Sequence, residues 1–210
     1  MARILIVDDH EVIRKGIIQI LSSELPASVF LEAAHAVDAL NLVWNEALNL
    51  VLLDVSLPGR GGMDLLKEIR SARPRLPVLV LSMHPEEQFA TRALRAGASG
   101  YLNKGMLSET LVQAVRHVLA GGKYISAKTA ELLTLELDQD ASRAPHEQLS
   151  DRELDVLIRI ATGEAVGEIA GELNLSVKTV STYRTRILDK MGMKNNSELT
   201  RYAIRAGLVE

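Results

Sequence analysis

Between residues 3 and 103, short and nearly unbroken apolar runs alternate with stretches of helical period, and this alternation leaves few folds open. The runs are Arg3–Val7 (RILIV), Val29–Ala33 (VFLEA), Leu50–Asp54 (LVLLD), Val78–Ser82 (VLVLS) and 99–102 (SGYL). Strands covered by helices on both faces of a parallel sheet read as continuous apolar runs rather than alternating ones. Between them, Val12, Ile13, Gly16, Ile17, Ile20 and Leu21 lie on one helical stripe; Leu65, Leu66 and Ile69 form another, and Leu107, Leu111, Val115 and Val118 a third. The repeated strand–helix unit predicts an α/β fold: a doubly wound, five-stranded parallel sheet.

In such sheets ligands bind at the carboxyl ends of the strands. Here the first strand runs into Asp8 and Asp9, the third ends in Asp54, the fourth in Ser82, and the fifth is followed by Asn103 and Lys104. Strands one, three and four are expected as neighbours or near-neighbours, so three carboxylates, a hydroxyl and an ammonium converge on one edge. Clustered carboxylates raise each other's pKa. A hard divalent cation removes that difficulty, and Mg²⁺ takes few protein oxygens while keeping positions for phosphate. With the metal and Lys104 offsetting phosphate charge, a carboxylate can act as nucleophile toward a phosphoryl donor. Asp54, ending the central strand, is the candidate nucleophile, and Asp8 and Asp9 are the candidate metal ligands.

The rest of the chain changes character. Gly121 and Gly122 open a segment in which Leu132, Leu133, Leu135 and Leu137 suggest a short helix, followed by the polar stretch DQDASRAPHEQ. From Leu149 the pattern is helical to the end. Ser150 with Glu153 forms a capping-box signature. Two helices, 166–173 and Val177–Met191, flank the turn Asn174-Leu175-Ser176, and Ser176 can cap the second. On that second helix Val180, Ile187, Leu188 and Met191 share an apolar face; Lys178, Ser181, Thr182, Thr185 and Arg186 lie opposite. The formal net charge of −3 conceals five cations against one carboxylate over residues 176–194. A locally basic helix with hydroxyls on its free face suits the major groove of DNA.

At 210 residues the chain is long for one domain and comfortable for two. It has no cysteine, which removes disulfides, thiolate metal sites and Cys nucleophiles. No apolar run approaches the roughly 20 residues that span a bilayer, and the N-terminus is too short and acidic for a signal peptide. These features point to a cytoplasmic protein without a membrane partner.

The segments ILIVDDHEVIRKGI, LVLLDVSLPGRGGMDLL, VLVLSMHPEE and RAGASGYLNKG resemble the receiver domain of two-component response regulators. LSDRELDVLIRIATGE, EIAGELNLSVKTVSTYRTRILDKMGM and NSELTRYAIRAGL resemble the LuxR-type helix-turn-helix of the NarL/FixJ class. The resemblance implies a flavodoxin-like receiver at 1–122, a linker at 123–148, and an all-α four-helix DNA-binding domain at 149–210. It implies that Asp54 is the phosphoacceptor, that Asp9, Asp54 and the backbone carbonyl of Ser56 ligate Mg²⁺, and that Asp8 acts largely through metal-bound water. Lys104 would pair with the phosphoryl group or Asp54. Ser82 would be the switch hydroxyl, and Tyr101 the aromatic that turns inward with it.

On the DNA side, Val180 and Leu188 would be core, while Ser181, Thr182 and Thr185 would face bases. Lys178, Thr179, Tyr183, Arg184 and Lys190, with Arg186 on the same surface, would contact the DNA. Leu199, Tyr202 and Ala203 are dimer candidates. The implied protein is a phosphorylation-controlled transcription regulator and not an enzyme. Its partners would be a sensor histidine kinase, double-stranded promoter DNA, a second copy of itself and RNA polymerase. Aspartyl-phosphate hydrolases usually carry an acid two residues beyond the nucleophile; Ser56 at that position disfavours turnover. Three departures stand out: Gly105 where many receivers have Pro, Gly61 where many have an acid, and Val166-Gly167 where many relatives have polar or basic residues.

Overall fold

The computed structural model describes residues 1–58, 61–84, 86–138 and 144–209; at 87, 88, 106–109 and 135–138 the description is of the backbone only. The chain forms two compact units, Met1–Thr134 and Leu135–Glu210.

In the first unit the strands are β1 (Arg3–Val7), β2 (Val29–Ala33), β3 (Leu50–Asp54), β4 (Val78–Ser82) and β5 (Gly100–Asn103). All pair in parallel, in the order β2-β1-β3-β4-β5. The helices are α1 (Glu11–Glu24), α2 (Ala36–Asn45), α3 (Gly62–Ala72), α4 (Glu86–Arg95) and α5 (Leu107–Leu119). Side chains alternate across a strand, so Ile4, Ile6, Leu50, Leu52, Leu79 and Leu81 form one apolar layer. Ile17 and Leu21 of α1 and Leu111, Val115 and Val118 of α5 pack on it. Each fully buried aliphatic side chain contributes roughly 1.5–3 kcal/mol. Much of the sheet's stability therefore lies beneath its polar edge, which leaves that edge free to hold groups that do not stabilise the fold.

The first unit runs past residue 122, where the receiver boundary was expected. Tyr124 forms a parallel bridge with Gly100, and its N–H donates to the Ser99 carbonyl at 2.8 Å. The approach is close enough that a Cβ on Gly100 would lie 2.6 Å from the Tyr124 carbonyl oxygen. Ser126 then caps α6 (Ala127–Asp138), accepting from the Thr129 N–H at 3.0 Å. The Ser126 and Thr129 hydroxyls both donate to the Glu86 carboxylate at the start of α4. Residues 123–134 are thus built onto the sheet domain. Residues 139–143 of the expected polar linker lie outside the described residues, and Pro145–Gln148 forms a 3₁₀ turn.

The second unit contains α7 (Asp151–Ala161), α8 (Val166–Glu172), α9 (Val177–Met191) and α10 (Asn196–Arg205). Ser150 and Glu153 make a complete capping box at α7. Ser176 caps α9 by accepting from the Thr179 N–H at 3.0 Å. In the turn between α8 and α9, Asn174 takes the left-handed conformation, φ 49°, which Asn tolerates better than most residues. Leu154, Val156, Leu157, Ile169, Val180, Ile187 and Leu199 fill the core.

Candidate functional site

The sheet order sets β1, β3 and β4 side by side with β5 flanking, so their carboxyl ends bring Asp8, Asp54, Ser82 and Lys104 together. Asp8 and Asp54 are fully buried. The Lys104 ammonium stands between them, its Nζ 2.7 Å from Oδ2 of each. Backbone donors hold the other oxygens: the His10 N–H reaches Asp8 Oδ1 at 2.8 Å, and the Ser56 N–H reaches Asp54 Oδ1 at 3.0 Å. Burial, reinforced by the like charge of Asp8, pushes the Asp54 pKa up although Lys104 and Ser56 oppose the shift. Burial also penalises the Lys104 charge, but the two carboxylates outweigh it and hold the ammonium pKa above its ordinary value.

Asp8, Asp9, His10 and Asp54 each offer one ligand atom, all within 4.8 Å of one another. The Oδ2 atoms of Asp8 and Asp54 are sealed from solvent and, among the described residues, meet no hydrogen-bond donor beyond the Lys104 ammonium; Asp9 Oδ1 is sealed from solvent too. An oxygen-rich set of this kind fits a hard divalent cation. His10 was absent from the sequence-derived set; its Nδ1 lies 2.9 Å from Asp9 Oδ1 and 3.3 Å from Asp8 Oδ1. Its place directly after the two aspartates was the available signal.

Ser82 is buried, and its Oγ accepts from the His84 N–H at 3.0 Å. The Tyr101 hydroxyl donates to the His84 carbonyl at 2.8 Å, and the ring is 2% exposed. The Tyr101 side chain is thus buried and tied to the loop that follows Ser82. Asn103, named at the end of the fifth strand but given no role there, joins them: its Nδ2 donates to that same His84 carbonyl at 3.2 Å, and its Oδ1 accepts from the Gly105 N–H at 2.8 Å. The loop after Asp54 explains its glycines. Gly61 has φ 73°, and a Cβ on Gly62 would lie 1.9 Å from the Asp54 carbonyl oxygen. An acidic side chain at 61 would sit on strained backbone.

In the second unit, α9 buries Val180, Ile187 and Met191. Leu188, expected in the core, is only half-buried. Lys178, Ser181, Thr182, Thr185 and Arg186 are exposed, while Thr179 and Tyr183 are half-buried. The Thr182 and Thr185 hydroxyls donate back to the Lys178 and Ser181 carbonyls at 2.9 and 3.1 Å, leaving their oxygens facing outward as acceptors. Two basic residues are tied inside the unit. Lys190 reaches Glu153 at 2.6 Å, and Arg184 donates through Nε to Asn196 at 2.6 Å. On α10, Leu199 and Ala203 are buried within the domain, and the Tyr202 hydroxyl lies 2.7 Å from His146 Nδ1.

Residues 4–116 match the response regulator receiver domain, and residues 147–203 match the bacterial regulatory proteins of the luxR family. The response regulator UvrY of Escherichia coli (strain K12) is 37% identical over 209 residues, covering 99% of this chain and 96% of its own. The response regulator GacA of Pseudomonas aeruginosa is 37% identical over 211 residues, covering 100% of this chain and 99% of its own. Among solved structures, the two-component response regulator RcsB in complex with DNA superposes with a TM-score of 0.59 at 26% identity, over 96% of each chain. Among the described residues, no helix is long and apolar enough to cross a membrane.

Proposed function

The chain belongs to the response regulators that join a receiver domain to a luxR-family regulatory domain, and from that premise we propose that Asp54 is its phosphoacceptor and α9 its DNA-reading helix. It is a phosphorylation-controlled, DNA-binding transcription regulator rather than an enzyme. The observation that carries the acceptor assignment is one ammonium, Lys104, shared between two fully buried carboxylates. A fold keeps such an under-compensated cluster where charge is to be exchanged.

A sensor histidine kinase supplies the phosphoryl group. An Asp54 carboxylate oxygen attacks phosphorus, the bond from phosphorus to the donor's imidazole nitrogen breaks, and an acyl phosphate forms. Lys104 then moves its contact from the carboxylate to a phosphoryl oxygen. Ser82 donates its O–H to another, and this draws on the same loop that His84 ties to Tyr101. Asp9, Asp54 and the Ser56 carbonyl would hold Mg²⁺, with Asp8 acting through its bound water. The cation, when bound, shields the phosphoryl charge.

The exposed face of α9, with Lys178, Ser181, Thr182, Thr185 and Arg186, lies in the major groove, flanked by Thr179, Tyr183, Arg184 and Lys190. Phosphorylation favours a homodimer, and two modules on one DNA gain affinity through effective concentration. Its place is the cytoplasm, with promoter DNA and RNA polymerase. The test is labelling by acetyl phosphate with Mg²⁺, followed by selection of genomic fragments by the labelled and unlabelled chains. The parent should take one phosphoryl group and bind its selected fragments more tightly when labelled. Asp54→Asn should take none; continued labelling of that variant removes the acceptor assignment.

A further inference from the structure

We propose that Asn103 is a positioning residue for phosphoryl transfer, its side-chain amide bracing the loop that carries Ser82 against the turn that carries Lys104. The inference rests on Asp54 as the acceptor and adds to the site a residue that touches none of the reacting atoms.

Asn103 ends β5 directly opposite Ser82, the last residue of β4. Both ends of its amide are used. Nδ2 donates to the His84 carbonyl at 3.2 Å, on one side of the site. Oδ1 accepts from the Gly105 N–H at 2.8 Å, on the other, where Lys104 begins a 3₁₀ turn. His84 is the hub of the first side, since its N–H donates to Ser82 Oγ and its carbonyl also takes the Tyr101 hydroxyl. The two groups that meet the phosphoryl oxygens, the Ser82 hydroxyl and the Lys104 ammonium, are thereby spaced by a single short amide.

The chemistry is selective. A carboxylate at 103 keeps the acceptor for Gly105 and loses the donor for His84; a leucine loses both. The neighbour is matched to it as well. Proline has no N–H, so the Gly105-to-Asn103 bond requires a residue other than Pro at 105. This gives the departure from the common pattern at Gly105 a physical reason. The brace acts on backbone, at the root of the Lys104 side chain, and its expected effect is on where Nζ stands. Misplacing a catalytic group by a fraction of an ångström is enough to slow a step that depends on alignment.

The experiment uses the full chain, acetyl phosphate and saturating Mg²⁺, with the labelling rate read by mass spectrometry. Asn103→Leu should label roughly tenfold more slowly than the parent, with an unchanged thermal midpoint and unchanged Mg²⁺ affinity by calorimetry. Asn103→Asp, keeping one of the two bonds, should fall between. Built on Lys104→Ala, Asn103→Leu should cause no further slowing, because its effect runs through the ammonium. Parent-like labelling by Asn103→Leu overturns the proposal, as does an equal loss with and without Lys104. If Asn103→Leu unfolds, Asn103→Asp decides the matter: parent-like labelling by that variant overturns the brace. A parent chain that takes no label at all overturns the acceptor assignment and this inference with it.

Discussion

Each unit buries carboxylates, and Asp54 of the first and Glu153 of the second are displaced in opposite directions. Asp54 is pushed up by burial and by Asp8, and it shares the Lys104 ammonium with Asp8. Glu153 is also penalised by burial, yet Lys190 and Ser150 more than offset this and hold its carboxyl below the usual glutamate range. Its Oε2 accepts from the Ser150 N–H at 2.8 Å, the Ser150 hydroxyl at 2.9 Å and the Lys190 ammonium at 2.6 Å. Glu153 is a satisfied acid that closes a helix end. Asp54 is a partly satisfied one that the fold tolerates. The difference separates structural from chemical use of the same functional group better than burial alone, since both side chains are out of solvent.

The contrast breaks most visibly at Lys104. Replacing it by Ala should slow labelling by acetyl phosphate roughly hundredfold, the usual size for loss of one preorganised charge at a reacting oxygen. A variant that labels like the parent would make Lys104 a structural counter-ion, and the two clusters would then be alike.

The second comparison is among cations. Lys178 and Arg186 are exposed and make no ion pair among the described residues. Lys178→Ala and Arg186→Ala should each weaken DNA binding by about 1 kcal/mol and flatten the log–log salt slope by about 0.9 per lost phosphate contact. Lys190→Ala should cost folding stability through Glu153, with a salt slope closer to the parent's. Anisotropy titrations across a salt series distinguish these outcomes.

Glu153→Gln should destabilise the second unit by about 1 kcal/mol in denaturant unfolding, the usual worth of a cap. A depressed carboxyl pKa contributes stability that is complete above the ordinary glutamate value and is lost as pH falls through the folded one. The parent should therefore weaken from about pH 5 downward, and the Gln variant should show a shallower decline. Asp54→Asn should move the other way, stabilising the first unit by about 1 kcal/mol in metal-free buffer, because it removes a buried charge that the shared Lys104 only partly offsets. Destabilisation by Asp54→Asn would abolish the distinction between the two acids.

Much of the architecture was legible because strand burial imposes unbroken apolar runs. The first four strands fall on the expected residues, and β5 is displaced by one, to Gly100–Asn103. The caps at Ser150 and Ser176 were legible because their partners lie three residues away. Two helices carried no stripe strong enough to name. α2 buries Ala36, Ala39 and Val43, and α4 buries Phe89, Ala90 and Ala93; alanine is too weakly apolar to mark a face. The strand ends made Asp8, Asp54, Ser82 and Lys104 visible as a set. Pairs closed by distant segments were not visible: Lys190 with Glu153, Tyr202 with His146, and Glu86 with Ser126 and Thr129. No local period reports which helix will pack on which.

The bridge from Tyr124 to Gly100 bears on how such chains can be cut and recombined. A sheet border left bare is an invitation to a stray strand, and here Tyr124 pairs with the start of the β5 border before the chain moves on. A receiver excised at residue 122 would lose that cover along with the hydroxyls that sit on Glu86. A chimaera joined beyond α6 would keep that pairing and those hydroxyls, whereas one joined at the end of α5 would leave the border bare and open to pairing with a second copy.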